Sequence, residues 1–237
     1  MSLQTYFTDL GTADYQEVWD KQEALFKELI HLKTVNFELP QCEHLDEFQY
    51  LLFCQHPHVY TLGKSGDAEN LLINQIELQS KEATFVKTNR GGDITYHGPG
   101  QLVAYPIFDL ESLQVSVKEY IYGLEAAVIK TIATYGLKGK TVDGAIGVWL
   151  DATDQLPERK ICAIGVKVSR KVSMHGLALN VNTNLNYFNY INPCGFVDKS
   201  VTSLQKELGR EIDMEEVKTR LKENLKEVFA YECYSQP

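Results

Sequence analysis

The segment KICAIGVKVSRKVSMHGLALNV (residues 160–181) contains two runs rich in apolar and β-branched residues, with a polar stretch between them. Runs of this kind, bounded by polar residues, are typical of β-strands. Six further strand-like runs lie upstream, separated by Gly, Pro, Asp or Asn: FQYLLFC, VYTLG, ATFVKT, DITYH, QLVAYPI and GVWL. We predict that one mixed, largely antiparallel sheet holds all of these strands.

Apolar residues recur at helical spacing in three other segments, which predicts helices over residues 12–33, over residues 113–132 and from Asp213 to about Tyr231. No linker, repeat or low-complexity tract divides the chain. We therefore predict an α/β fold: a single catalytic domain over residues 1–237, whose sheet is covered by helices and whose last helices lie within residues 200–231.

The 237 residues carry a formal net charge of −9, which argues against broad nucleic-acid binding. No apolar run approaches the roughly 20 residues of a membrane span, and the first residues do not resemble a secretion signal. The five cysteines are an odd number without dense spacing, so they do not suggest a disulfide framework. We expect a cytoplasmic protein with free thiols and without a membrane partner.

The segment RGGDITYHGPGQ (residues 90–101) is unusually rich in glycine. Glycines let a ligand approach the backbone closely, and Arg90 is suited to a carboxylate or phosphate. The same pattern also fits a hairpin whose turn requires glycine. The segment matches neither a phosphate-binding loop nor a dinucleotide fingerprint.

Two side chains in the opening segment are candidates for chemistry. Alternation along a strand would put Lys160 on the face that carries Cys162. Lys160 then either extends its ammonium to water from the strand end or enters a pocket, where it would lower the pKa of a neighbouring thiol. His175 is either a ligand-facing imidazole or a structural histidine.

The thiols differ in their surroundings. Cys54 and Cys162 lie in strand patterns that predict small core residues, whereas Cys194 lies in the turn-like Asn192-Pro193-Cys194-Gly195, a context that suits a nucleophile. A zinc site is an alternative use of some of the cysteines, although the spacing differs from that of common zinc fingers. Its ligands would be Cys42, His44, Cys54, His56 and His58.

Several of these motifs, in this order, resemble the lipoyl(octanoyl) transferase family. They are HP with YTLG at residues 56–63, RGGxxTYHGPGQ at residues 90–101, GVW at residues 147–149, Lys160 with Gly165, HGLALNV at residues 175–181 and NPCG at residues 192–195. The resemblance covers residues 55–195. It implies the fold of the biotin and lipoate protein ligases.

The resemblance also implies an acyltransferase that moves an octanoyl group from acyl carrier protein to a lysine of lipoyl domains, the first step of endogenous lipoate synthesis. It assigns the acyl thioester to Cys194, and thiol activation and proton transfer to Lys160. No ATP, metal or other cofactor is implied. The substrate-binding positions that it implies are Arg90, Gly91, Gly92, Asp93, Ile94, Thr95, Tyr96, His97, Ala163, Ile164, Gly165, Gly176, Leu177 and Ala178.

The partners expected from the resemblance are octanoyl-acyl carrier protein as donor, and the lipoyl domains of 2-oxoacid dehydrogenases and the glycine cleavage H protein as acceptors. We expect the enzyme to be a monomer. Such partners are usually acidic, as this chain is, so we predict a local basic patch for docking. Its residues would be Lys87, Arg90, Lys167, Arg170 and Lys171.

Three other functions compete with this reading. An ATP-dependent lipoate or biotin protein ligase would share the fold, although an enzyme that activates its acid as an adenylate needs no nucleophilic thiol. A cysteine thioesterase would use the same nucleophile and pass the acyl group to water. A non-catalytic zinc-binding module would bind stoichiometric metal and form no acyl-enzyme.

Overall fold

The computed structural model describes residues 3–192 and 200–235. Its helices are α1 (Tyr15–Glu38), α2 (Gln75–Ser80), α3 (Val117–Ala133), α4 (Leu204–Leu208) and α5 (Met214–Phe229). Its longer strands are β1 (Leu3–Thr12), β2 (Phe48–Gln55), β3 (Val59–Leu62), β4 (Thr84–Lys87), β5 (Ile94–His97), β6 (Gln101–Ile107), β9 (Arg159–Ser169), β10 (Val172–Asn180) and β12 (Tyr231–Ser235). The shorter strands are β7 (Gly139–Lys140), β8 (Val148–Leu150) and β11 (Ser200–Val201).

The main sheet has the strand order β12-β1-β2-β6-β10-β9-β8-β7, and β11 pairs with β9 beside that path. The pairs β12–β1, β1–β2 and β9–β11 are parallel, and the other pairs are antiparallel. The predicted α/β fold with a mixed, largely antiparallel sheet is therefore confirmed. The prediction that a single sheet holds all the strands is wrong, because β4, β3 and β5 form a separate three-stranded sheet in that order.

Helices cover the main sheet on both faces. Along β2, Leu51 and Phe53 belong to the core under α3 and α5, whereas Leu52 and Cys54 belong to the core under α1. A strand that is covered on both faces is apolar at consecutive positions, which explains the run FQYLLFC. The small sheet has a core of its own, which includes Tyr60, Ile94 and Tyr96.

Helix ends follow capping chemistry. The Asp14 side chain accepts hydrogen bonds from the backbone N–H groups of Gln16 and Glu17, so α1 begins at Tyr15. Ser116 and Glu119 form a capping box at the start of α3. Two short elements interrupt the region in which only helices were predicted: β11 precedes α4, and β12 begins at Tyr231, directly after α5.

A membrane crossing requires a helix that is both long and apolar. Within the described residues, none of the helices meets both requirements.

Candidate active site

Two of the predicted substrate-binding stretches are cross-strand partners. They lie side by side in β9 and β10, with Gly165 opposite Gly176, Ile164 opposite Leu177 and Ala163 opposite Ala178. Strands β9 and β10 are adjacent in sequence and antiparallel, so the turn between them fixes this register. The structure thus brings together, near the middle of the main sheet, six positions that the sequence presents as two separate motifs.

The glycine-rich segment lies against the same part of β9. The backbone N–H of Gly91 donates a 3.0 Å hydrogen bond to the carbonyl of Val166. A Cβ atom added to Gly165 would lie only 2.9 Å from the Gly91 carbonyl oxygen, so this contact requires glycine at position 165. The glycine-rich segment and β9 are therefore in direct backbone contact.

Arg90 connects this segment to the small sheet. Its side chain is buried, at 7% exposure, and Nη2 donates to the carbonyl oxygen of Thr61 at 2.6 Å and to Thr61 Oγ1 at 3.0 Å. Nη1 donates to the carbonyl of Gly91 at 3.0 Å. These contacts hold the end of β3 against the glycine-rich segment.

Burial of Arg90 also corrects the predicted docking patch, because a buried guanidinium does not contribute to a surface for a protein partner. Lys167 of that patch is paired with Glu23 at 3.1 Å. Lys87, Arg170 and Lys171 are exposed.

The remaining residues of the glycine-rich motif have different environments. Asp93 accepts a 2.7 Å hydrogen bond from Asn70 Nδ2. Ile94 and Tyr96 point into the core of the small sheet, and Thr95 between them is half-buried. Gly92 is exposed and has a φ of +84°, a backbone conformation that favours glycine. The alternative of a simple hairpin across this motif is wrong, because β5 and β6 belong to different sheets.

His97 is part of a buried polar chain. Its Nδ1 lies 2.8 Å from Gln101 Oε1, and its Nε2 lies 3.4 Å from Thr61 Oγ1. Burial lowers the pKa of His97 to about 3, and the nearby His56 and Arg90 add to this effect. The imidazole is therefore neutral at pH 7 and acts as a hydrogen-bonding link between the two sheets.

His175 is a structural histidine in this fold. It is 1% exposed, its Nε2 lies 2.6 Å from Asn89 Oδ1, and its backbone N–H donates to Gln22 Oε1 at 3.0 Å. Burial lowers its pKa to about 3 as well, with Arg90 and Lys167 contributing. Its φ of +59° is unusual for a residue other than glycine.

Lys160 lies in a cradle formed by residues 145–149. Its Nζ donates a 3.0 Å hydrogen bond to the carbonyl of Ile146 and lies 4.6 Å from the centroid of the Trp149 ring. A Cβ atom added to Gly147 would lie 3.3 Å from Lys160 Cε, so the backbone packs closely along the lysine stem. The cradle holds the ammonium in a defined position at the start of β9.

The prediction that Lys160 lies on the same face of the strand as Cys162 is wrong. Trp149 pairs with Lys160 and Val148 pairs with Cys162, so Ile161 is an extra residue that shifts the register. Such a bulge reverses the alternation on one side of it. Lys160 therefore lies on the face opposite to Cys162, whose thiol belongs to the apolar core.

Cys194 lies outside the described residues, so the prediction that Lys160 activates its thiol stays a prediction. The described chain on either side of it is held at the site. The Asn192 backbone N–H donates to the carbonyl of Asn70 at 2.8 Å, and Asn70 in turn bonds to Asp93 of the glycine-rich motif. On the other side, Val201 pairs with Lys160 in β11.

The strand β11 is fixed by a buried ion pair that sequence analysis missed. Arg159 Nε and Nη2 each donate to Glu207 at 2.6 Å, and Thr202 Oγ1 donates to Glu207 at 2.5 Å. The backbone N–H of Thr202 donates to the Lys160 carbonyl at 2.9 Å. No local signal marks this pair, because its partners are 48 residues apart in sequence.

The residues proposed for a zinc site do not converge. Cys54 is buried, as predicted, and its Sγ lies 3.4 Å from His56 Nε2, which is 2.8 Å from the Tyr105 hydroxyl. His58 instead stacks on Tyr187, with ring centroids 4.1 Å apart. Among residues 3–192 and 200–235, no group of three or more His, Cys, Asp or Glu side chains is arranged to hold a metal ion.

The fold and these motifs define a protein of the lipoyl ligase and transferase class. The family model described as the lipoyl protein ligase A/B catalytic domain matches residues 14–226, and the chain belongs to this family. A curated octanoyltransferase from Christiangramia forsetii is 52% identical over 237 residues, covering 100% of both chains. One from Bacteroides fragilis is 52% identical over 219 residues, covering 92% of this chain and 95% of its own.

Solved structures of lipoate ligases share the fold at low sequence identity. A bipartite lipoate protein ligase from the lipoylation system of Thermoplasma acidophilum superposes with a TM-score of 0.69 at 14% identity, covering 99% of this chain and 87% of its own. Lipoate-protein ligase A bound with ATP gives 0.66 at 13% identity, covering 100% and 89%. At such identities the likeness establishes the fold alone.

Proposed function

We propose that this chain transfers an octanoyl group from the thioester of an acyl carrier protein, through a thioester on Cys194, to a lysine of a lipoyl domain. Octanoyl transfer itself is the activity named for relatives that are about half identical over almost the whole chain. The structural observation that carries the proposal is the pairing of Lys160 with Val201 in β11, since β11 begins six residues after Cys194.

The proposed reaction has two balanced steps. In the first, the Cys194 thiolate attacks the thioester carbonyl; the new carbon–sulfur bond forms, the bond to the carrier sulfur breaks, and Lys160 protonates the departing thiolate. In the second, a neutral lysine amine of the lipoyl domain attacks the Cys194 thioester. The amide bond forms, the Cys194 thiolate leaves, and the now neutral Lys160 takes the proton from the amine. The enzyme returns to its starting state without ATP.

The outer edge of β9 is suited to the octanoyl chain. Strand β8 pairs with β9 only at residues 159–162, so within the described chain the only backbone bond to that edge beyond Cys162 is the one from Gly91 to Val166. Ile164, Val166 and Val168 are only partly buried there. We propose that the acyl chain lies along this apolar edge, beside the glycine-rich segment.

The backbone around this edge would hold the thioester. Exposed Gly92 lies next to this edge, and an N–H group in such a segment is suited to stabilise a tetrahedral oxyanion. We propose that residues 90–97, 163–165 and 176–178 form the substrate-binding surface. Burial of Arg90, Ile94, Tyr96, His97 and residues 176–178 gives these positions a supporting role behind that surface.

The partners and setting follow from the same chemistry. We propose acyl carrier protein as the donor, and the lipoyl domains of 2-oxoacid dehydrogenases and the glycine cleavage H protein as acceptors. We also propose that the enzyme acts as a monomer in the cytoplasm, where the carrier and the acceptors occur. Exposed Lys87, Arg170 and Lys171 remain available for docking acidic partners.

The decisive experiment measures the intact mass of the protein after incubation with octanoyl carrier protein, maps the modified peptide and then adds an apo lipoyl domain. We expect one octanoyl group on Cys194 that passes to the lysine of the domain. Cys194→Ala should abolish turnover, and Lys160→Ala should lower it by several orders of magnitude. The matched control is Cys42→Ala, which removes an exposed thiol and should change neither the adduct nor turnover.

The other outcomes separate the competing functions. Release of free octanoate without modification of the acceptor would indicate a thioesterase. Pyrophosphate release that depends on lipoate and ATP, with no adduct on any cysteine, would indicate a ligase. Stoichiometric zinc with neither activity would indicate a binding module.

A further inference from the structure

Glu125 is a buried carboxylate that the proposed reaction does not use. It lies in the middle of α3, is 3% exposed and is flanked in sequence by Leu124 and Ala126. A carboxylate in such surroundings is costly unless it is hydrogen-bonded or faces a positive charge. Glu125 has both a hydrogen bond and a nearby positive charge, and these come from the cradle of residues 145–149 and from Lys160 itself.

One peptide group joins Glu125 to Lys160. Oε1 of Glu125 accepts a 2.9 Å hydrogen bond from the backbone N–H of Gly147. The carbonyl of Ile146, on the other side of the same peptide bond, accepts the 3.0 Å hydrogen bond from Lys160 Nζ. An anion at the N–H and a cation at the C=O polarise a peptide group in the same direction, so each hydrogen bond strengthens the other.

The backbone at this point packs closely against both β9 and the stem of Lys160. Gly147 has a φ of +125°, and a Cβ atom added to it would lie 2.5 Å from the carbonyl oxygen of Cys162 and 3.3 Å from Lys160 Cε. The Trp149 indole, which covers the ammonium, is fixed by its own hydrogen bond to the carbonyl of Ala145 at 2.8 Å. The turn is therefore held between α3 and β9, and Glu125 is its anchor on the α3 side.

We propose that Glu125 is a positioning residue for Lys160, acting through the Ile146–Gly147 peptide group that it holds and polarises. This inference rests on the proposed function for its catalytic consequence, because only a catalytic Lys160 makes its position matter for turnover. The second oxygen, Oε2, is buried and has no hydrogen-bond partner within the described residues, so the interaction with Gly147 and the charge of Lys160 carry the stabilisation of this carboxylate.

The electrostatics agree with this role. Burial raises the pKa of Glu125 above its ordinary value, and the Gly147 N–H and the Lys160 ammonium offset part of that rise. Within the described chain, the titratable groups that interact electrostatically with Glu125 are Lys160 and the Cys162 thiol, both from β9. Burial raises the pKa of Cys162 far above the physiological range, so this thiol stays neutral and Lys160 is the charge that Glu125 faces.

The test compares two substitutions. Glu125→Gln keeps an oxygen that can accept from the Gly147 N–H and removes the charge, whereas Glu125→Leu removes both. The matched control is Glu119→Gln on the same helix, because Glu119 is exposed and glutamine preserves a capping box. Urea unfolding of each variant verifies that it is folded.

The first readout is the titration of Lys160 in the free enzyme, measured by trace labelling with acetic anhydride across the pH range and quantified by peptide mass spectrometry. We expect Glu125→Gln to lower the apparent pKa of Lys160 by about one unit, because an opposing charge is lost, and Glu125→Leu to lower it at least as far. Glu119→Gln should leave it unchanged. A Lys160 titration that coincides with that of the wild type in both Glu125 variants overturns the proposal.

The second readout separates this proposal from the proposed function. If Lys160 is catalytic, Glu125→Gln should lower kcat about tenfold and leave KM for the octanoyl carrier protein unchanged. A shifted Lys160 titration with normal kcat, in an enzyme whose Lys160→Ala variant is also active, would refute the catalytic role of Lys160 and support Glu125 as its positioning residue.

Discussion

Gly165 of β9 and Gly176 of β10 lie directly opposite each other, yet each is required by a different neighbour. A Cβ atom on Gly165 would lie 2.9 Å from the Gly91 carbonyl oxygen, in the glycine-rich segment. A Cβ atom on Gly176 would lie 2.1 Å from the Ala104 carbonyl oxygen and 2.7 Å from Pro106 Cδ, both in β6. One glycine therefore serves the candidate site, and the other serves the packing of the central sheet.

Alanine at the two positions should therefore affect different properties: activity for Gly165 and stability for Gly176. Gly165→Ala should displace the glycine-rich segment by a few tenths of an ångström and lower kcat/KM for octanoyl transfer about tenfold, since small displacements of positioning groups have effects of this size. Its free energy of unfolding should fall by no more than about 1 kcal/mol, because the segment is at the surface of the sheet. Steady-state kinetics and urea unfolding measure the two effects.

Gly176→Ala should instead destabilise the fold by at least about 3 kcal/mol, because the two central strands have to separate. Gly136→Ala is the control for the substitution itself: its φ is +80° and nothing lies within 4 Å, so it should cost only about 1–2 kcal/mol of backbone strain and keep full activity. Equal losses of stability in Gly165→Ala and Gly176→Ala would contradict this division of roles.

Arg90→Lys should weaken the connection between β3 and the glycine-rich segment. Lysine has neither the planar fork nor the reach to keep the hydrogen bonds to the Thr61 carbonyl and hydroxyl. We expect the free energy of unfolding to fall by about 2–3 kcal/mol, the range for buried hydrogen bonds to a charged group. Urea unfolding measures it, with exposed Lys87→Arg as the control; a loss below about 0.5 kcal/mol would contradict the structural role.

The main elements were predictable because their signals are local. The stripes of α3 and α5 and the apolar runs of β9 and β10 are each contained in one continuous segment, so periodicity alone detects them. Strand β1 was missed because it has polar residues at many positions. It is stabilised by pairing with β2 and β12, which are distant from it in sequence. The separate small sheet was missed for the same reason: β3 and β6 look alike in sequence, and only tertiary contacts distinguish them.

The candidate site, like the fold, was predictable where its signals are local and not where it depends on distant contacts. The glycine and lysine motifs predicted which residues form the site, but not how those residues meet. The bulge at Ile161 has no sequence signal, and it moves Lys160 to the face opposite to that predicted by alternation. Likewise Arg90 has the chemistry to bind an anion, and only its burial against Thr61 indicates that it holds β3 against the glycine-rich segment.

Acidic pH should destabilise the protein through its buried histidines. His97 and His175 each have a folded pKa of about 3, below the ordinary value of 6.5. Below pH 6.5 the unfolded chain binds protons that the folded protein does not bind, so stability is fully present above that pH and is lost as the pH falls toward 3. Each histidine should lower the free energy of unfolding by about 1.4 kcal/mol for each unit by which the pH falls in this range.

The contribution of one histidine can be isolated by substitution. His175→Asn places a neutral residue that tolerates a positive φ at this position, and it should lower the slope of unfolding free energy against pH between pH 6 and 4 by about 1.4 kcal/mol per unit. Exposed His31→Asn is the control and should leave the slope as in the wild type. An unchanged slope for His175→Asn would mean that His175 titrates alike in the folded and unfolded states.

Tyr187 should control how the chain enters the segment that carries Cys194. Its ring stacks on those of His58 and Tyr96, with centroid distances of 4.1 and 4.9 Å, and its carbonyl accepts a 2.9 Å hydrogen bond from the Tyr60 hydroxyl. Tyr187→Leu removes the stack, so we expect the rate of octanoyl transfer to Cys194 to fall about tenfold. The free energy of unfolding should fall by only about 1–2 kcal/mol. Tyr187→Phe keeps the stack and is the matched control. Intact-mass measurement of single-turnover acylation gives the rate, and a normal rate in Tyr187→Leu, despite its lower stability, would limit the stack to a structural role.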